Sequence, residues 1–202
     1  MDVIAFAQGV IQVSYHLYFL AESGYHPGAA IPPPRNGLAD SIENAIIIHT
    51  GIHSGVVSLS AEVRSAPPTS VEHDWDDVVE VNLLAAGGHV RLAAVMSDVP
   101  NSYPLLTPAG PGHYRVRVHA SGRDTDIDGV AFEPFEKYLV QVWPAEPEPD
   151  VVYKATDRFG AELRRFSPRS AGAAPQRPDV EAAARDANLR AHRRDRNQAE
   201  SP

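Results

Sequence analysis

The chain has 202 residues, of which 43% are hydrophobic and 22% are charged, and it contains no cysteine. This length fits one globular domain of about 150 residues plus an additional segment. The lack of cysteine excludes a disulfide scaffold, a thiolate zinc site and a cysteine nucleophile. No apolar run approaches the ~20 residues of a membrane helix, and residues 1–8 lack the basic start of a signal peptide, so we expect a cytoplasmic protein without membrane contacts.

Charge is distributed unevenly along the chain. Residues 1–154 contain 8 Lys and Arg against 19 Asp and Glu, a net charge of −11, whereas residues 155–202 contain 10 Arg against 7 Asp and Glu, a net charge of +3. An acidic body repels phosphate, so we expect no direct nucleic-acid binding by it. Such a body attracts a basic protein partner and speeds its association. The alternative is that the charge only keeps the chain in solution.

Seven segments have the alternating or β-branched pattern that is typical of strands. In chain order they are residues 8–20, 45–50, 55–64, 77–84, 89–96, 113–120 and 137–143. We expect a short helix at residues 37–44, in the long first connection. Seven short strands without amphipathic helices between them predict an all-β fold, an antiparallel, jelly-roll-like β-sandwich. A barrel or a true jelly roll is the close alternative.

The clearest alternation lies in residues 113–120. It predicts that Tyr114, Val116 and Val118 face the core and that Arg115 and Arg117 face solvent. The two arginines are basic features of an acidic body. They indicate either an anion-binding face for phosphate or carboxylate, or ion pairs to neighbouring strands of the same sheet.

The composition changes after Trp143, where residues 144–150 alternate proline with acidic residues and end the sheet. We place the end of the β-sandwich domain at residue 153 and assign residues 154–202 to a low-complexity tail rich in Arg, Ala and Pro. Large apolar side chains are nearly absent from residue 167 onward, which predicts a largely disordered tail. Part of it, residues 178–188, has the start signal of a helix with Asp179 as its cap.

Two acidic loops are the predicted partner-binding sites. The first surrounds a tryptophan, a residue that is favoured in binding surfaces, although Trp75 could instead cover the edge of the core. The second has the D-x-D-x-D-G start of a calcium loop, but Phe135 occupies the position of the bidentate glutamate, so we expect a solvated loop without a cofactor or metal. A calcium loop of another type is the alternative. The residues are Asp74, Trp75, Asp76 and Asp77 in the first loop and Asp124, Asp126 and Asp128 in the second.

No motif in the chain indicates an enzyme. The sequence lacks a G-x-S-x-G nucleophile elbow, a Gly-rich phosphate loop and a dinucleotide fingerprint. An activity stays open as the alternative, in the form of a jelly-roll enzyme or a small-ligand-binding module that uses the face of Arg115 and Arg117.

Several short motifs, in their order along the chain, carry a resemblance to a known family. They are Val13-Ser14-Tyr15-His16, Ala45-Ile46-Ile47-Ile48, Val56-Val57-Ser58-Leu59, Gly112-His113-Tyr114-Arg115-Val116 and Tyr138-Leu139-Val140. Over residues 8–143 the chain resembles the competence protein J type nuclease inhibitors of bacteria. The resemblance implies a β-rich protein that binds and blocks a DNA-entry nuclease. The loops at 65–75 and 123–136 and the C-terminal extension depart from that family.

A second resemblance lies in the later strands. A G-x-Y-R-V-R-V-H strand at residues 112–119 precedes Tyr-Leu-Val-Gln-Val-Trp-Pro at residues 138–144, as in a group of uncharacterised bacterial β-sandwich proteins. Charge and resemblance together predict a non-enzymatic inhibitor or immunity-type protein that occludes a basic partner such as a nuclease.

Overall fold

The computed structural model describes residues 2–25, 31, 33–71 and 74–167. The predicted disordered tail and its helix at residues 178–188 lie outside this part of the chain. The elements are β1 (Val3–Ser14), β2 (Leu17–Ala21), β3 (Ala39–Ile42), β4 (Ala45–His49), β5 (Ser54–Arg64), β6 (Asp77–Ala85), β7 (Arg91–Ala93), β8 (Gly112–Ser121), β9 (Val130–Ala131), β10 (Lys137–Pro144), β11 (Val151–Ala155) and α1 (Arg158–Phe166).

The strands form one sheet in the order β11-β6-β8-β10-β5-β1-β2-β4-β3, and β7 and β9 pair with β2 and β5. The described part of the chain is mostly β with one short helix, so the predicted β-rich class is confirmed. The prediction of a purely antiparallel sheet is wrong, because β10 and β9 both run parallel to β5. The large mixed sheet is not closed into a barrel, and the sandwich arrangement stays a prediction.

The first predicted strand, residues 8–20, is two strands joined by a tight turn. Tyr15 and His16 both have positive φ, 59° and 64°, as in a type I′ hairpin turn. Each such non-glycine residue costs roughly 1–3 kcal/mol, so the turn persists only where its surroundings hold it. The backbone N–H of His16 donates to the carbonyl of His53 at 3.0 Å, and the His16 carbonyl accepts from the Thr50 N–H at 2.8 Å.

Other elements differ from expectation in extent. The short helix expected at residues 37–44 is instead β3, which pairs with β4. The strand expected at 89–96 contains only the three residues of β7, whose partner is β2. Residues 154–167, at the start of the predicted tail, include the end of β11 and the helix α1. The domain boundary at residue 153 stays a prediction.

Among the described helical residues there is no span of the length and apolarity that crossing a membrane requires.

A continuous apolar core is built from one face of β1, β5, β6, β8 and β10. Tyr114, Val116 and Val118 are buried in it, as the alternation of β8 predicts. The same core includes Leu59 of β5 and Val140 of β10, which are also fully buried. The core therefore lies where the period-2 pattern of the longest strands places it.

The opposite face of β8 is buried as well, which corrects the expectation that its arginines face solvent. Arg115 and Arg117 are 1% and 5% exposed. Glu80 on β6 lies between them and accepts from Arg115 Nη2 at 2.9 Å and from Arg117 Nε at 3.0 Å. The carbonyls of Ser70 and Glu148 accept further hydrogen bonds from the two arginines, so distant chain segments cover this face. Of the two interpretations of these arginines, the structure therefore agrees with ion pairs to a neighbouring strand of the same sheet.

Two buried histidines make the stability of the fold depend on pH. Burial lowers the pKa of His49 and of His119 to about 4, against ~6.5 in an unfolded chain. The unfolded chain therefore binds protons that the folded chain does not. The contribution of the two neutral histidines to stability is complete above about pH 6.5. It is lost as pH falls toward 4, by at most roughly 3 kcal/mol for each histidine.

We expect the free energy of unfolding, measured by urea denaturation, to fall between pH 6.5 and pH 4, and His119→Gln to reduce that fall. The control is His89→Gln, because His89 is exposed. An unchanged pH dependence in His119→Gln would contradict the assignment.

Candidate functional site

The two predicted acidic loops lie side by side at one end of the sheet. Strand β6 begins at Asp77, which is opposite Ala120 near the end of β8. The Oδ2 of Asp76 accepts from the backbone N–H of Gly122 at 3.0 Å, and the Asp76 N–H donates to the Ala120 carbonyl at 3.0 Å. We call residues 122–136, which follow β8 at this end, the acidic loop.

Arg123 fixes the base of the acidic loop. This side chain is fully buried. Its Nε donates to Asp157 Oδ2 at 2.6 Å and its Nη2 donates to Asp77 Oδ2 at 2.8 Å. Its Nη1 donates to the carbonyls of Gly37 and His49 at 3.0 and 3.2 Å. One guanidinium thus joins the acidic loop to β6, β4, the chain before β3 and the start of α1. We call Arg123, Asp77 and Asp157 the Arg123 hub.

The helix α1 begins against this hub. Asp157 is its N-cap residue, and its Oδ1 accepts from the Gly160 N–H at 2.7 Å. Asp124 accepts from the backbone N–H groups of Arg158 and Phe159 at 2.9 and 3.0 Å. Burial alone would raise the pKa of Asp124, but these hydrogen bonds outweigh it and lower the pKa. The helix therefore holds the first residues of the acidic loop in place.

Glu136 fixes the other end of the loop. It is fully buried, its Oε1 accepts from the Ile52 N–H at 2.7 Å, and its Oε2 accepts from the Gly51 N–H at 3.2 Å and from the hydroxyl of Tyr138. Burial raises the pKa of Glu136, and these hydrogen bonds offset part of the rise. The loop is consequently anchored at both ends by buried charged side chains.

The tip of the acidic loop is exposed and includes three acidic side chains and one aromatic side chain. Asp126, Asp128 and Glu133 are exposed, and Phe132 is 90% exposed. Asp128 has a φ of 64°, and its Oδ1 lies 2.8 Å from the Nε2 of His16. The tip therefore rests on the hairpin between β1 and β2.

A second exposed aromatic side chain lies on that hairpin. Tyr15 is 58% exposed, and its ring packs edge-on against His53 with 5.6 Å between ring centroids. The His53 N–H donates to the Gly129 carbonyl of the acidic loop at 2.9 Å. The hairpin and the loop thus present aromatic and acidic side chains at the same end of the molecule.

The structure places the seven predicted partner-binding residues in different environments. Asp77 belongs to the Arg123 hub and is 0% exposed, so a partner cannot contact it. Asp76 and Asp124 are half-buried and accept from backbone amides. Trp75 is half-buried, with its ring 5.4 Å from that of His119, and its carbonyl accepts from Lys154. The exposed members are Asp74, Asp126 and Asp128.

Phe132 was missed by the sequence analysis, although a signal was available. It lies between the buried Ala131 and the pair Glu133-Pro134, outside every alternating segment. A large aromatic residue in an acidic loop, outside any strand, is not placed in the core by an alternating pattern. In the structure its side chain is exposed to solvent.

The alternative anion-binding face at Arg115 and Arg117 would need guanidinium groups that are open to a ligand. The guanidinium groups of Arg115 and Arg117 are buried and share Glu80. In the acidic loop, Asp124 is directed to α1 and Asp128 to His16. No group of three or more His, Asp or Glu side chains suited to a metal ion occurs in the described part of the chain.

Comparison with known proteins finds no matching protein-family model and no matching curated protein. Two solved structures are similar. The protein of crocagin biosynthetic gene J is 13% identical, with a TM-score of 0.43 over 70% of this chain and 98% of that one. ComJ from Bacillus subtilis, an inhibitor of the DNA degrading activity of NucA, is 10% identical, with a TM-score of 0.47 over 71% and 98%. The structural neighbours thus include a member of the family that the sequence motifs resemble.

The Arg123 hub predicts a large loss of stability when its cation is removed. Arg123→Met leaves two buried carboxylates without their shared guanidinium, and we expect the free energy of unfolding to fall by about 3–5 kcal/mol. The control Arg158→Met removes a guanidinium that is 78% exposed and 3.4 Å from Asp124, and it should cost less than ~1 kcal/mol. Urea denaturation of both variants measures the difference, and equal losses would contradict the role of the hub.

Gly160 supplies an independent test of the same packing. A Cβ atom at this position would lie 2.6–2.7 Å from Asp157 Oδ1, Arg123 Nη2 and Asp77 Oδ2. In an exposed helix Gly→Ala stabilises by roughly 1 kcal/mol. We expect Gly160→Ala to have the opposite sign and to lower the melting temperature. A higher melting temperature would show that the hub can move aside.

Proposed function

We propose that this chain is a non-enzymatic binding protein that occludes a basic macromolecular partner, as an inhibitor or immunity-type protein does. The observation that carries the proposal is the exposed tip of the acidic loop. There, three carboxylates accompany a phenylalanine that is 90% exposed. Large aromatic side chains are enriched among the residues that dominate binding energy, and they become buried when the partner binds. Charged residues around such a centre act mainly on the association rate.

The anchoring of the loop supports the same function. A loop whose two ends are fixed by buried groups such as Arg123 and Glu136 loses little conformational entropy when a partner binds. Its tip is therefore preorganised, and more of the contact energy appears as affinity. A loop without such anchors would have to be ordered during binding.

Charge supports a nuclease as the partner class. The active site of a nuclease holds phosphate groups and is basic, whereas residues 1–154 of this chain have a net charge of −11. The opposite signs favour fast association and exclude the competing nucleic acid from the surface. The sequence resemblance to the competence protein J type inhibitors indicates the same class. A role in competence or immunity and a bacterial cytoplasmic location belong to this proposal and rest on the resemblance.

The proposal predicts separate kinetic effects for the charges and for the ring. Asp126→Asn with Asp128→Asn should lower the association rate about tenfold at low salt and weaken its salt dependence, because charges outside the buried centre act mainly through long-range attraction. Phe132→Ala should instead raise the dissociation rate at least ~10-fold, because it removes the anchor. Surface plasmon resonance at two salt concentrations measures both rates.

The probe is the nuclease encoded nearest to the gene of this chain. The matched control is Glu146→Gln with Glu148→Gln, which removes two charges from the exposed segment that follows β10 at the other end of the sheet. DNA degradation by the nuclease is followed in parallel. Absence of binding together with undiminished DNA degradation would overturn the proposal, and equal effects of the two double variants would remove the acidic loop from it.

A further inference from the structure

His16 connects the hairpin between β1 and β2 to the tip of the acidic loop. Its Nε2 lies 2.8 Å from Oδ1 of Asp128, and its Nδ1 lies 3.2 Å from the carbonyl oxygen of Thr50. A carbonyl oxygen accepts hydrogen bonds and cannot donate one, and the same is true of an ionised aspartate. Both ring nitrogens therefore face acceptors. The imidazolium form, which has a proton on each nitrogen, is the form that donates to both.

The backbone on both sides of this contact is fixed by other hydrogen bonds. His16 and Asp128 both have a φ of 64°, which residues other than glycine rarely adopt. The Asp128 N–H donates to the Gly51 carbonyl at 3.0 Å. The Gly129 N–H donates to the Asp126 carbonyl at 3.1 Å. Because none of these bonds involves the imidazole, we expect a change in its charge to act on the side chain of Asp128 and to leave the loop backbone in place.

The two acceptors of His16 differ in their access to water. Thr50 is 0% exposed, whereas the side chain of Asp128 is 80% exposed. A neutral imidazole has a single N–H, and a buried carbonyl without a donor costs more free energy than a hydrated carboxylate without one. We therefore expect the neutral form to keep its proton on Nδ1, toward Thr50. The lone pair of Nε2 then faces the carboxylate, and Asp128 turns to solvent.

The other groups packed around His16 determine which neighbours compete for a proton. The ring of His53 is perpendicular to that of His16, with 5.2 Å between ring centroids. His49 stays neutral near pH 7, because burial, Arg123 and His16 lower its pKa to about 4. On α1 the uncharged ring of Phe159 stacks on His16 at 5.8 Å, and the guanidinium of Arg123 lies 5.5 Å from the centre of that ring. Arg123 is charged at every relevant pH, so His53 is the neighbour that needs a separate control.

We infer that His16 is a positioning residue that makes the negative charge of the acidic tip depend on pH. Histidine changes its charge between about pH 5 and pH 8. As imidazolium it holds Asp128 and cancels its charge, so the tip presents the charges of Asp126 and Glu133. As neutral imidazole it leaves all three carboxylates to act on a partner. The regulatory role rests on the proposed function, because this charge sets how fast a basic partner associates.

The first test uses the free chain and needs no partner. Nuclear magnetic resonance follows the ring nitrogens of His16 and the carboxyl carbon of Asp128 from about pH 5 to pH 8. We expect protons on both nitrogens at low pH and on Nδ1 alone at high pH, with the Asp128 resonance shifting at the same midpoint. His53→Gln should keep this shared step. His16→Asn should abolish it, and asparagine tolerates the positive φ of this position.

Two results of this experiment would overturn the inference. One is a neutral form of His16 that has its proton on Nε2. The other is an Asp128 resonance whose midpoint is unaltered by His16→Asn.

The second test measures association with the nuclease of the proposed function at low salt. The ratio of the rate constants of the wild-type chain and His16→Asn should rise about threefold from pH 6 to pH 8, because one charge of the tip is restored. This ratio removes the titration of the nuclease itself. The matched control is His89→Asn, at an exposed position beyond the other end of β6, and its ratio should stay constant.

The two tests separate failure of the inference from failure of the proposed function. Binding with a constant ratio for His16→Asn would overturn the regulatory role of His16. Absence of binding at every pH would overturn the proposed function instead, and the resonances of the free chain would still decide whether His16 controls the charge of Asp128.

Discussion

The buried guanidinium of Arg123 is the interaction on which the candidate site depends. A buried charge is costly unless it is paired and its hydrogen-bond donors are used. Here two carboxylates and two backbone carbonyls meet that requirement, and they come from four separate parts of the chain. Because the group is satisfied only when all four are in place, it specifies how α1, β6, β4 and the acidic loop meet. The exposed tip is positioned as a consequence of this requirement.

Other buried charges act in the same way in this molecule. Glu80 joins β6 to two arginines of β8, and Glu136 joins β10 to the turn after β4. Several acidic residues of the body are therefore structural, and a partner cannot contact them. The carboxylates that remain at the surface near the Arg123 hub are concentrated at the tip of the acidic loop, where Phe132 accompanies them.

The alternating sequence pattern predicted those strands that bury one face more deeply than the other. Strand β5 alternates cleanly and was found, but the turn at Tyr15 and His16 was not, because neither residue signals positive φ and their conformation is held by distant contacts. The parallel pairing of β5 and β10 has no local signature. Arg115 and Arg117 have the pattern of a solvent face, and segments far away in sequence bury them. At the site, Asp126 was found as an exposed acid, whereas the burial of Asp77 follows from Arg123, which no motif marks.

The parallel pairing of β5 with β10 has a consequence for how the chain acquires its structure. Lys137 lies opposite Ser58, and β6, β7, β8 and β9 all occur in the sequence between these two residues. Contacts between residues so far apart require the chain to lose loop-closure entropy before the contacts stabilise it. Folds dominated by such contacts form in milliseconds to seconds. During synthesis the middle of the sheet cannot close until β10 has left the ribosome. Until then β5, the longest strand of the apolar core after β1, has its second edge unpaired except at the two residues opposite β9.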